Sequence, residues 1–159
     1  MDFKYTASIT RPNNATQYAA GDVIGTASTH VLSFASNLIA KGANKFLYRA
    51  HIVSSESPAT APQLELWLFN KAPAAQADNA AFAVTDAEML QLLGVIPMAT
   101  SYVGLASGNR FIDSDSSTPI VWNADSVGST SDLFGVLVVR NTYTPVANEV
   151  FTVDVFGMD

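Results

Sequence analysis

The chain has 159 residues, of which 48% are hydrophobic and only 14% charged, with a formal net charge of -6 and no cysteine. That length suits one domain, residues 1–159, able to hide about 70% of its unfolded surface, while the missing thiols exclude disulfides, thiol nucleophiles and thiolate metal sites. The eight Lys and Arg are scattered, which argues against nucleic acid as a partner because phosphate binding needs clustered cations.

No apolar run nears the roughly 20 residues of a spanning helix, so no membrane partner is expected, and "MDFKYTASIT" has neither the basic start nor the apolar core of a signal peptide. The period along the chain is two. In "FKYTASITR", Phe3, Tyr5, Ala7 and Ile9 share one face and Lys4, Thr6, Ser8 and Thr10 the other, as in a half-buried strand. "ITRPNNATQYAAGDVIG" follows, residues 9–25. Arg11-Pro12 ends the first strand because proline lacks the ladder donor, and Asn13-Asn14 tolerates unusual backbone angles. Gly21-Asp22 makes a tight turn into Val23 and Ile24. The stretch is predicted to be a structural corner, built on Tyr18, Gly21 and Asp22, with the Tyr18 hydroxyl bonded to backbone.

"DVIGTASTHVLSFAS" gives short β pieces, and "KFLYRAHIVSSE" alternates again as an outer strand. "QLELWLFN" and "LFGVLVVRN" are apolar on nearly both faces, which predicts strands covered by a second sheet on one side and by a neighbouring subunit or loop on the other. Between them "NKAPAAQADNAAFAV" reads as a long surface loop. "TDAEMLQLLG" breaks the period. Thr85 and Glu88 have capping-box spacing and Gly94 sits where a helix would end, so a short helix is predicted over residues 86–93, its Met89, Leu90, Leu92 and Leu93 sealing one end of the molecule. "VIPMATSYVG", a short "PIVW" and "EVFTVDVFGM" complete about eight strands. The fold class is all-β, a jelly-roll-like antiparallel β-sandwich with one short helix.

Catalytic constellations are hard to assemble. His30 and His51 lie in strand-like alternation, away from any nucleophile signature, and two histidines without cysteine do not make a zinc site. Glu65 alternates within a strand, and Glu88 is accounted for by capping. In "FIDSDSSTP", Asp113 and Asp115 can offer oxygens to calcium, but the stretch lacks the glycine and distal glutamate of an EF-hand loop, and a plain turn explains it as well. Trp67, Tyr102 and Trp122 are able to stack on sugars if exposed; Trp67, between leucines, reads as core, which leaves Trp122 as the candidate sugar contact. No enzyme activity and no cofactor are expected.

"ITRPNNATQYAAGDVIG" near the start and "NTYTPVANEVFTVDVFGMD" at the end together resemble small virion structural proteins of tailed bacteriophages and prophages. Their chains run Thr-Arg-Pro, then Tyr-x-Ala-Gly-Asp-Val, and finish Tyr-Thr-Pro, then Glu-x-Phe-Thr-Val. The resemblance implies a β-sandwich accessory protein of the coat, made in the bacterial host cytoplasm and carried on the virion. Decoration of the assembled head is the implied role, with the major capsid protein as partner. The apolar two-faced strands and low charge add self-association, most simply as a homotrimer. The alternative is a head-fibre or tail-associated carbohydrate-binding module for host attachment.

Overall fold

The computed structural model describes residues 2–35, 44–98, 100–103, 110–123 and 132–158. Among these residues there are ten strands: β1 (Asp2–Thr10), β2 (Val23–Ile24), β3 (Leu32–Ala35), β4 (Asn44–Ser54), β5 (Leu64–Phe69), β6 (Leu92–Met98), β7 (Thr100–Val103), β8 (Arg110–Asn123), β9 (Leu133–Val139) and β10 (Val150–Met158). One helical turn, α1 (Asp86–Met89), lies between β5 and β6.

The strands form two antiparallel sheets, ordered β1-β10-β4-β8-β7 and β2-β9-β5-β6, with β3 also on β9. The chain stays within one sheet at β2–β3, β5–β6 and β7–β8 and crosses to the other sheet at the remaining connections, and β1 and β10, the first and last strands, pair along their full length from Asp2↔Met158 to Thr10↔Val150. This arrangement is the double Greek key of a jelly roll. Alternation places the inward residues: Ala7 and Ile9 of β1, Ala50 and Ile52 of β4, and Phe151, Val153 and Val155 of β10 meet Leu64, Leu66 and Leu68 of β5 and Leu137 and Val139 of β9 in one core. Each fully buried Val, Leu, Ile or Phe side chain there contributes about 1.5–3 kcal/mol.

The second face of β9 is also covered, and by the chain itself. Val136 and Val138 join Val23 and Phe69 in a smaller buried cluster, roofed by Ala80, Phe82 and Val84 of the loop that follows β5. The Ala-rich segment is therefore a lid on the sheet as well as a surface loop. The two-faced strands consequently need no neighbouring subunit to cover Val136 and Val138.

Two elements depart from the sequence-based expectation. The helix ends at Met89, none of its residues is buried, and Leu92 and Leu93 belong to β6. The capping box is present, with Thr85 Oγ1 accepting from the Glu88 amide at 3.2 Å and Glu88 Oε2 accepting from the Thr85 amide at 2.7 Å. A one-turn helix gains little by itself, however, and the ladder between β5 and β6 claims the residues beyond it. Gly94 lies in that ladder, paired with Leu68, and not at a helix end. The "FIDSDSSTP" stretch is part of β8 and not a turn. Its turn-forming residues sit where the β4–β8 register shifts: Leu47 faces Ile120 while Arg49 faces Asp115, so residues 116–119 are accommodated in a bulge.

Candidate functional site

The richest polar cluster lies at one end of the sandwich, where the segments flanking β1 and β10 meet. After Thr10 the chain leaves the sheet, but the Arg11 amide still donates to the Glu149 carbonyl at 2.9 Å, which turns the Arg11 side chain into the end of the core. Its Nε donates to the Tyr18 hydroxyl at 2.5 Å, and its Nη2 forms an ion pair with Asp78 at 2.8 Å. Both partners of that pair are buried, with side-chain exposures of 0% and 4%. The Tyr18 hydroxyl donates to the other Asp78 oxygen, which also accepts from the Gly25 amide at 2.9 Å. Arg11 Nη1 reaches the carbonyls of Val146 and Asn14 at 3.1 and 3.3 Å. Burial, then the bond to Asp78, raises the Tyr18 phenol far above its ordinary range, so it stays protonated.

Tyr18 is not anchored to backbone through its hydroxyl, as the sequence suggested; its anchors are Arg11 and Asp78. Its backbone amide donates to Tyr143 O at 3.0 Å, and its ring stacks on Tyr143 with centroids 5.1 Å apart. Gly21 has a φ of +99°, which a side chain would strain. Asp22 closes the turn, its Oδ2 accepting from the Ala19 amide at 2.6 Å, and Gly21 N donates to Val139 O at 2.7 Å.

Glu149 adds a buried acid beside this cluster. It accepts from Ser54 Oγ at 2.5 Å and from the Val146 amide at 3.4 Å. No cation lies within ion-pair distance of it among the described residues. Burial raises its pKa, outweighing the Ser54 hydrogen bond and the Arg11 charge. The Tyr143 hydroxyl nearby is buried without a hydrogen-bond partner among the described residues.

Chemically, this arrangement holds segments together. Asp78 spends both oxygens on internal donors, and the shallow depression beside it, about 340 Å³ and lined by Pro12, Asn14, Thr16, Ala27, Ala77, Asp78 and Asn79, meets an acid already satisfied. Asp78 was invisible in sequence because a single aspartate in an Ala-rich loop resembles a solvated one. The only hint was Arg11, a charged residue directly after an apolar strand.

The other sequence candidates lie elsewhere. Trp122 is 1% exposed and packs edge-on against Tyr5 at 5.9 Å, so it has no ring face for a sugar. The alternation of β8 turns it inward with Ile120. Trp67 sits in the smaller cluster, edge-on to Phe82, with its Nε1 donating to Glu65. Glu65 also takes Arg140 at 2.5 Å; burial works to raise its pKa, but those two bonds outweigh it and the net shift is down. Asp113 and Asp115 fall opposite His51 and Arg49 in the β4–β8 register, and their side chains, like that of Tyr102, lie outside the described residues. Among the described residues no group of three acidic or histidine side chains is placed to hold a metal ion. His30 is in a loop and not a strand; its Nδ1 accepts from the Gln76 amide at 2.9 Å, and burial lowers its pKa.

Two surface features remain. Met158, Phe46 and Val121 are neighbours in register across β10, β4 and β8 and form an exposed apolar row. At the other sheet, Met89 at the end of α1 and Leu90, which caps it, are exposed, Leu90 with 82% of its surface. No helix among the described residues is long and apolar enough to cross a membrane.

No family model matches the chain, and no curated protein matches it. Among solved structures it is similar to one described as the structure of infectious bursal disease virus Gx strain, at 11% identity and a TM-score of 0.31 over 99% of this chain. The chain spans 40% of the length of that one.

Proposed function

We propose that this protein is a structural component of a bacteriophage virion, a decoration protein that binds the assembled head and stabilises it, without enzymatic activity. The observation that carries the reading is where the two phage-like segments lie. The Thr-Arg-Pro…Tyr segment supplies Arg11 and Tyr18, and the Tyr-Thr-Pro…Glu segment supplies Tyr143 and Glu149. The four residues share one end of the jelly roll through the Arg11–Glu149 and Tyr18–Tyr143 backbone bonds and the stacked tyrosines. Segments that resemble one family at both chain ends form a single packed unit, which is how a shared fold preserves a pattern. The partners on this reading are the major capsid protein and further copies of the chain, assembled as a closed homotrimer on the virion surface.

A binder of the shell that does not bind separated coat subunits stabilises the assembled state by linkage, and many copies add avidity. Purified particles should carry the chain in regular stoichiometry, and particles stripped of it should release DNA at lower temperature or under milder osmotic shock. A chain absent from particles, or confined to the tail tip with particles equally stable after its removal, overturns the reading.

A further inference from the structure

We propose that the tip formed by α1 is a self-association surface, in which Leu90 of one copy seats in the hollow beside Leu90 of a second copy. This rests on the self-association part of the reading above and, because the contact is isologous, makes the species in solution a two-fold dimer, the trimer being the assembly on the head.

A single exposed leucine is ordinary on a protein surface. Leu90 differs because the chain holds it firmly in that exposed place. Glu88 caps the turn and also accepts from the Ala74 amide at 2.5 Å, which ties α1 to the loop before it. The Asn70 amide donates to Gln91 O at 3.0 Å, and Leu92 pairs with Phe69 in the ladder immediately after. The tip is thus fixed at its base, its start and its end.

Beside Leu90 lies a hollow of about 380 Å³, lined by Lys71, Ala72, Ala87, Glu88, Leu90 and Gln91. Its alanine methyl groups suit an apolar side chain. Its rim holds one cation and one anion, and hydrogen bonds from Thr85 and Ala74 keep the Glu88 carboxyl ionised by lowering its pKa. A surface that holds both a knob and a hollow, and both a Lys and a Glu, is complementary to itself: a second copy can place Leu90 in the hollow, Lys71 against Glu88 and Glu88 against Lys71. A foreign acidic or basic segment would match one of the two charges and oppose the other. The self-pairing also offsets the repulsion between chains that each carry a net charge of -6.

The test is the mass in solution by light scattering coupled to size exclusion, on the full chain and on Leu90→Asp and Lys71→Glu. The wild type is expected to run at twice the 16.9 kDa of one chain. Leu90→Asp should fall to the mass of one chain with an unchanged far-ultraviolet circular-dichroism spectrum, because the site is exposed in the single chain. Lys71→Glu should weaken association about tenfold or more, since it sets like charges together. A wild type that is monomeric at every concentration overturns the proposal, and so does an oligomer whose mass Leu90→Asp leaves unchanged; the latter result would point to the Met158–Phe46–Val121 row. The virion reading is judged separately. A monomer found on particles sinks this inference alone, whereas an oligomer sensitive to Leu90→Asp but absent from particles sinks the virion reading alone.

Discussion

Arg11 and Asp78 show how one buried pair can decide whether this end of the molecule holds together. Removing Asp78 leaves a guanidinium with 0% side-chain exposure and no ion-pair partner among the described residues. Asp78→Ala is therefore expected to cost about 3–5 kcal/mol in urea unfolding. Tyr18→Phe should cost less, about 2 kcal/mol, because it removes one hydroxyl bonded to two charged groups and keeps the stacked ring. Glu149 gives the opposite prospect. Its pKa is raised in the folded state, so its neutral form favours folding below the unfolded value of about 4.3, and that contribution disappears as pH rises through the folded value. Glu149→Gln should match the wild type near pH 4 and become the more stable of the two as pH rises, reaching a plateau above the folded pKa. Melting temperatures of both proteins between pH 4 and 8 would check this; a difference that is flat with pH would contradict it.

At the scale of an element, close approach between strands and local capping make different demands. Gly157 of β10 lies where β4 shifts register, and a Cβ there would come 2.6 Å from the Phe46 carbonyl and into the Phe3 ring. The ring can turn aside but the strand backbone cannot, so Gly157→Ala is expected to cost about 1–3 kcal/mol by overpacking, read from its unfolding midpoint. Thr85→Ala tests α1. Loss of an N-cap costs about 1 kcal/mol, and because the turn buries nothing, global stability should fall by no more than that. Amide exchange at Glu88 and Met89 should rise far more than exchange in β5 or β9, since only the tip loosens.

For the whole molecule the decisive fact is that β1 and β10 are partners. The second strand of the first sheet is the last strand of the chain, so the sheet forms only after very long loops close, a topology that folds in milliseconds to seconds. Deleting residues 1–11 removes an edge strand along with Arg11, the counter-charge bonded to Asp78. The remaining chain is expected to lose cooperative thermal unfolding and the near-ultraviolet signal of its packed aromatics, and a sharp transition after that deletion would show that β10 and the inner strands suffice.

Alternation with period two was enough to predict an all-β sandwich, because the inward residues of β1, β4 and β10 are written locally as every second side chain. The capping box of Thr85 and Glu88 was legible for the same reason, both partners lying within one turn. The length of α1 was not, since Leu92 and Leu93 obey a ladder with β5, whose residues are distant in sequence. The same cause hid the strand character of Asp113 and Asp115, which depends on pairing with β4, and the burial of Trp122, which depends on what the opposite sheet places above it. Arg11 and Asp78 are separated in sequence by β2, β3, β4 and β5 and carry no shared motif. Local chemistry determined which segments alternate, turn and cap, whereas only the tertiary structure decided which of them meet, because a buried charge or a covered face is a property of distant partners.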